Sequence, residues 1–203
     1  MAKKTRFSGP ERRRQIIETA AEIFARNGFR GTTTREVAAA AGVSEAAVFK
    51  HFATKEDLYA AIIEAKSQIH EIMSSVGLAA SRGDDAAVLR TLARELMVRA
   101  QADPTLMRLL FFSALEGHSL SDMFLRSYVL QVDDFLCRYI ARRVKAGAFR
   151  AVHARLAAWN FTGMVVHHIL ACELFGQKRP PRLTVEQLVE QIVAVFLHGV
   201  CRS

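Results

Sequence analysis

The sequence predicts an all-α protein, on three observations. Apolar residues recur three and four apart through most stretches from Ile16 to Val200, which is the period of a helix with one buried face. Capping residues open these stretches and Gly or Pro closes them. No run alternates like a strand between hairpin turns, and there is no internal repeat or low-complexity segment.

Residues 1–8, with Lys3, Lys4 and Arg6, read as a basic leader: a disordered end, or an arm that reaches phosphates or a minor groove. Pro10 suits the first turn of the helix that follows. Ile16, Ile17, Ala20, Ile23 and Phe24 give that helix a buried face, with Arg12 to Arg14 at its outer start. Asn27-Gly28 stops it, and Phe29 can plug the corner.

The chain is organised around the next stretch, Thr32 to Lys55, TTTREVAAAAGVSEAAVFKHFATK. Thr33 can cap a short helix, and Glu36 three residues on returns the bond. Val37, Ala38 and Ala41 then share one face. Gly42 supplies the left-handed residue of a turn. Ser44 caps a second helix, Glu45 sits favourably in its first turn, and Val48 and Phe52 point inward. Two helices of about two turns joined by a three-residue turn with Gly form a helix-turn-helix. Helices this short do not hold alone in water, so the helix after Pro10 has to back them.

Thr54 and Asp57 box the start of another helix, which Leu58, Ile62 and Ile69 carry on from head to body. Lys55 in its first turn opposes the helix dipole at a cost of a few tenths of a kcal/mol. A phosphate at that end would reverse the sign; otherwise Lys55 is an ordinary surface lysine. Beyond residue 84 everything reads helical. Leu89, Leu92, Leu96 and Met97 mark one helix, and Ala102 to Glu116 another, entered at Asp103-Pro104. Ser119 opens a long one through Phe124, Tyr128, Phe135 and Ile140 to Val144, closed by Gly147. His153 to Phe175 follows, ended by Gly176 and Pro180-Pro181, and Thr184 caps the last, to Val200.

The chain has 203 residues and is 51% apolar, enough for one or two domains with a real core. Its net charge of +8 is unevenly spread. Residues 1–55 hold eleven Lys and Arg against five Asp and Glu, whereas the remainder holds seventeen against fifteen. A basic head on a near-neutral body points to a polyanion as partner of the head alone, and the motif makes that polyanion duplex DNA. The division expected is a head over 1–55 and a body over 56–203. Cys137, Cys172 and Cys201 form no CxxC pair, which argues for a reducing compartment and against a disulfide or zinc framework. The leader lacks the apolar core of a signal peptide. The longest apolar run, Phe161 to Phe175, contains His167, His168 and Glu173 and reads as a buried helix, not a membrane span. A cytoplasmic protein is expected.

These residues resemble the TetR family of bacterial repressors. The resemblance runs from Arg14 to Leu58 through Ile17, Ala20, Ala21, Phe24, Gly28, Thr33, Val37, Ala38, Ala41-Gly42-Val43-Ser44, Phe49, His51-Phe52, Lys55-Glu56 and Leu58. Further on, only the layout and the segment Gly147-Ala148-Phe149-Arg150 are familiar. The resemblance implies a three-helix DNA-binding head and a helical-bundle body for ligand binding and dimerisation. It also implies a homodimer that represses from a palindromic operator and lets go when a small molecule enters the body. On that pattern Thr33, Ser44, Phe49, His51 and Lys55 stand where phosphates are contacted, and Arg35, Glu45, Ala46, Ala47 and Lys50 where bases are approached. Arg35 and Lys50 are able to bond guanine O6 and N7, Glu45 a cytosine amine, and Ala46 and Ala47 thymine methyls; Glu45 has an equal claim as a structural first-turn acid. Two departures stand out. Phe49 replaces a usual Tyr and loses a hydroxyl-to-phosphate bond of about 1 kcal/mol, and Ala46-Ala47 replaces a frequent Gly-Thr.

The helix His153 to Phe175 is apolar almost all round, and the last helix carries a similar excess in Val189, Ile192, Val193, Val195 and Phe196. Such helices need partners on two fronts, and the resemblance makes the segments 153–175 and 184–200 the dimer interface. Met107, Phe111, Met123, Trp159 and His168 are candidate contacts for a hydrophobic effector, with Asn160, His167 or His168 to orient it; each also fits plain core. His168 and Cys172 share a helix face without a third ligand at matching spacing, so no metal is expected. No nucleophile motif or phosphate-cradling loop is present, so neither enzyme activity nor a cofactor is expected. The rival reading is a ligand-independent architectural protein with the same head.

Overall fold

The computed structural model describes residues 8–116, 122, 125–179 and 183–201. In chain order the helices are α1 (Gly9–Asn27), α2 (Thr34–Ala40), α3 (Glu45–His51), α4 (Lys55–Ser67), α5 (Ile69–Ser81), α6 (Asp85–Ala102), α7 (Thr105–Glu116), α8 (Leu130–Lys145), α9 (Ala154–Ile169) and α10 (Val185–Val200). Short π-helical segments, Leu125–Val129 and Leu170–Leu174, precede α8 and follow α9. No strand occurs among the described residues; a lone antiparallel bridge joins Phe149 to Cys201. The leader, the opening at Ser119, Phe124 and the Pro180-Pro181 break lie outside the described residues.

The chain divides into two compact units, residues 1–67 with 105–124, and residues 68–104 with 125–203. In the first, Ser8 and Glu11 form a capping box at the start of α1, with Pro10 in its first turn. The buried face of α1 carries Ile16, Ile17, Ala20 and Phe24, and α2, α4 and α7 pack against the helix. Phe24 stacks on Phe29 at 5.7 Å, and Tyr59 meets both rings edge-on at 5.4 and 5.5 Å. Such pairs add about 0.5–1.5 kcal/mol each beyond area burial. The Tyr59 hydroxyl donates to the Leu109 carbonyl of α7 at 3.0 Å, which meets the polar cost of burying it. Burial also pushes the phenol up to about 12. The unit therefore runs past residue 55: a cut there divides the charge, whereas Leu58, Tyr59 and Ile62 of α4 are wholly buried.

The single helix expected through Leu58, Ile62 and Ile69 is broken. Gln68 takes a left-handed conformation, φ 45° and ψ 31°, between α4 and α5. That costs a residue with a side chain about 1–2 kcal/mol. It is offset by burial on both sides, of Ile62 and Ile63 before the break and Ile69 and Ile72 after it. The hydrophobic period carries across the break unchanged, so the sequence gives no sign of it.

In the second unit α6 is central, packed by α5, α9 and α10, with α8 laid on α9. Val88, Leu92 and Ala93 of α6 are fully buried, and Phe161 meets Phe196 at 5.1 Å. Asp85 in the first turn of α6 is favoured by the helix dipole. It also pins α8, accepting from the Tyr139 hydroxyl at 2.6 Å and from Arg143 Nη2 at 2.8 Å. His153 caps α9, its Nδ1 accepting the Leu156 N–H at 3.2 Å.

Candidate nucleic-acid interface

The interface is built from two caps and a turn. Thr33 Oγ1 accepts the Glu36 N–H at 3.2 Å, while Glu36 Oε2 accepts the Thr33 N–H at 2.7 Å and its hydroxyl at 3.0 Å. These bonds hold the Glu36 carboxyl below its ordinary range. Gly42 at φ +65° ends α2, with its N–H to the Ala39 carbonyl and that of Val43 to the Ala38 carbonyl. Gln15 of α1 donates to the Ala41 carbonyl at 3.2 Å, tying the turn to the helix behind it. Ser44 Oγ accepts the Ala47 N–H at 3.2 Å and caps α3. That leaves the Ser44 hydroxyl hydrogen available for an outside acceptor.

Val37, Ala38, Ala41, Val48 and Phe52 turn inward and are buried. Arg13 lies over the Phe52 ring at 5.1 Å and holds the end of α3 from outside. The opposite face of α3 presents Ala46, Lys50 and Phe49, the last 46% exposed. Arg35 on α2 is also exposed, and neither Arg35 nor Lys50 makes a hydrogen bond or ion pair among the described residues. Ala47 and His51 are half-buried at the edge of this face, with His51 tilted against Phe52 at 6.3 Å.

Two residues from the sequence reading have partners inside the protein. Glu45 accepts a hydrogen bond from the Thr34 hydroxyl at 2.5 Å, so its carboxylate locks α3 to α2. Lys55 donates to the Phe29 carbonyl at 2.5 Å and lies 4.1 Å above the Phe29 ring. The ammonium opposed to the α4 dipole is thus repaid within the protein, and burial lowers its pKa. Thr34, Gln15 and Arg13 were missed. Thr34 stands beside the capping Thr33, and its role depends on a contact eleven residues away that local patterns do not encode.

The effector candidates divide. Met107 is buried and Phe111 half-buried, one turn apart on α7 in the first unit. Trp159 and His168 lie on α9 in the second. Nine residues apart, these two point to opposite sides of the helix, about 180° apart at 3.6 residues per turn. Trp159 is 53% exposed, while burial, with His167 and Arg179 nearby, lowers the pKa of His168. Met123 lies outside the described residues. A cavity of about 380 Å³ in the second unit is lined by Asn160, one of the residues expected to orient an effector, with Leu156, Met164, Val195 and Phe196, and not by Met107, Phe111, Trp159 or His168. Among the described residues no group of three or more His, Cys, Asp or Glu is placed to hold a metal. Glu173 near the Cys172 end is paired with Arg179 at 2.9 Å. No described helix is long and apolar enough to cross a membrane.

A capped helix-turn-helix with an outward cationic face, followed by a bundle of longer helices, defines the class of helix-turn-helix regulators. Residues 16–62 match the family model for bacterial regulatory proteins of the tetR family, and residues 87–199 that for the C-terminal domain of AefR-like transcriptional repressors. The chain belongs to the TetR family. It is 38% identical over 73 residues to the HTH-type transcriptional regulator AcrR of Shigella flexneri, covering 36% of this chain and 34% of AcrR. It is 39% identical over 67 residues to the repressor AcnR of Corynebacterium glutamicum, covering 32% and 36%. The matched stretch thus spans about a third of these relatives. Among solved structures, AibR in complex with isovaleryl coenzyme A and operator DNA superposes with a TM-score of 0.65 at 25% identity, over 91% of this chain and 97% of that one. A TetR-family structure from Mesorhizobium loti gives 0.73 at 23% identity, over 97% and 100%, and shows the shared fold.

Proposed function

We propose that this protein is a transcriptional repressor that binds a palindromic operator as a homodimer through α2 and α3 and is released by a small molecule. The observation that carries the reading is the outer face of α3. Its core side is fully spent on Val48 and Phe52, while Lys50, and Arg35 beside it on α2, point outward without partners among the described residues. A short helix with one face anchored and the other cationic suits the major groove. Ser44, Thr33, Phe49 and His51 flank it toward the phosphates, and Ala46 and Ala47 let the backbone come close to bases. Lys55 serves the same row from behind, by holding the Phe29 corner.

The homodimer reading rests on apolar surface left bare on α9 and α10. Leu156, Trp159 and Val195 are each more than half exposed, and Leu156 and Val195 line the cavity of the second unit. Contiguous apolar surface of this kind marks an interaction face, and a two-fold protein suits paired half-sites. The complex of AibR with isovaleryl coenzyme A and operator DNA supports a regulator that binds a small molecule as well as DNA; release is the step this proposal adds, with a hydrophobic or amphipathic effector as the expected class.

Selection of bound fragments from genomic duplex by the purified chain tests the proposal. The expected result is a palindrome with half-sites about one helical turn apart and affinity that falls steeply with salt. Absence of salt-sensitive binding to any duplex would overturn it. A thermal-shift screen in which no small molecule raises the melting point would favour the ligand-independent alternative.

A further inference from the structure

The corner between α1 and α2 is held from two sides. On the inner side the Thr32 hydroxyl donates to the Gly28 carbonyl at 2.9 Å, and Lys55 donates to the Phe29 carbonyl. On the other side stands Glu116, in the last turn of α7. Its Oε1 accepts the Arg30 N–H at 3.3 Å. The approach is so close that a Cβ on Gly28 would lie 2.3 Å from Oε1 and 3.1 Å from Phe112. The second oxygen, Oε2, is buried and has no hydrogen-bond partner.

A buried carboxylate oxygen left unmet costs stability, so packing alone does not account for an acid here. What the acid does is grip the backbone three residues before Thr33, the cap that sets where α2 starts and hence where Arg35 stands.

We propose that Glu116 is a positioning residue for DNA binding: its carboxylate holds the Gly28–Thr33 turn and so fixes the start of α2 relative to α3. The inference rests on the reading of α2 and α3 as the DNA interface. Glu116 touches no DNA itself and acts through the Arg30 amide. Its charge also favours the Lys55 ammonium at the same corner, and replacement by Gln removes that charge while leaving an acceptor for the Arg30 amide.

The experiment uses the full chain and the duplex recovered by the selection above, with affinity read by fluorescence anisotropy. Amide hydrogen exchange over residues 28–34 is read in parallel without DNA. Glu116→Ala is expected to weaken duplex binding roughly three- to tenfold, the equivalent of one hydrogen bond, and to speed exchange in the corner. Glu116→Gln keeps an acceptor facing Arg30 and is expected to restore both readouts to near the parent values. Parent-like affinity in Glu116→Ala would overturn the proposal, as would Glu116→Gln falling as far as the alanine variant. If the parent chain binds no duplex, the DNA reading fails by itself, and exchange decides the corner: an unchanged rate in Glu116→Ala overturns its role there.

Discussion

Gly28→Ala tests both the backbone and the packing of the first unit. Gly28 sits at φ 73° and ψ 177°, a region that is essentially open to glycine alone. Forcing another residue into it costs of order 1–3 kcal/mol. The added methyl would also meet Glu116 Oε1 at 2.3 Å. Since that atom is the end of a side chain, it would swing away and give up the Arg30 amide, for about another 1 kcal/mol. The total of about 2–4 kcal/mol lowers the melting temperature by roughly 2–4 °C per kcal/mol in a chain of this size. A double-mutant cycle with Glu116→Ala separates the two parts, because the backbone strain persists without Glu116 and the clash does not. Urea denaturation of the four proteins should give a coupling of about 1 kcal/mol. Additivity within about 0.3–0.5 kcal/mol would refute the claim that the glycine is required by its neighbour as well as by its backbone.

Lys50→Ala is expected to change which duplex is preferred, whereas Lys55→Ala should weaken all duplexes alike and also lower the melting point through loss of the Phe29 carbonyl bond; identical selection profiles and stabilities for the two would sink that division. Gln68→Gly should raise the urea midpoint, since relief of about 1–2 kcal/mol of left-handed strain outweighs about 0.5–1 kcal/mol of added chain entropy; a fall would show that Gln68 is held by something other than its backbone. His168 has a lowered folded pKa, so the unfolded chain takes up its proton first as pH falls below the ordinary histidine range of about 6.5. Stability therefore rises with pH through that window and is lost on acidification. Replacement by Gln should flatten this part of the pH profile, and an unchanged slope would count against it.

The head was legible because its signals are local. Thr33 with Glu36, Gly42 and Ser44 each announce a cap or a turn within four residues, and each appears in the structure as a bonded cap or a positive φ. The same kind of signal was present and overlooked at Ser8 and Glu11. Lys55 was readable as an anomaly, a cation at the wrong helix end, but its partner lies 26 residues away on a backbone carbonyl. No side-chain pattern reports an acceptor of that kind. Gln68 was illegible for a different reason, since the apolar period runs through the break and a polar residue at a left-handed position leaves no local mark. In the body, helices were readable by period, but which of their apolar faces line a ligand site was not. Trp159 and His168 both suit a pocket by chemistry and stand on opposite sides of one helix.

α7 belongs to the first unit although residues 68–104, which precede it in the chain, belong to the second. The Tyr59 hydroxyl bonds a carbonyl fifty positions downstream, and α1 packs against α7. An excised fragment ending near residue 67 would bare the apolar face of α1 that α7 covers and leave the Tyr59 hydroxyl without its carbonyl. Chimeras that graft this reader onto a foreign sensor would have to carry the distant segment along. The reader is discontinuous in the gene, and exchange between such proteins by simple end-joining would break it.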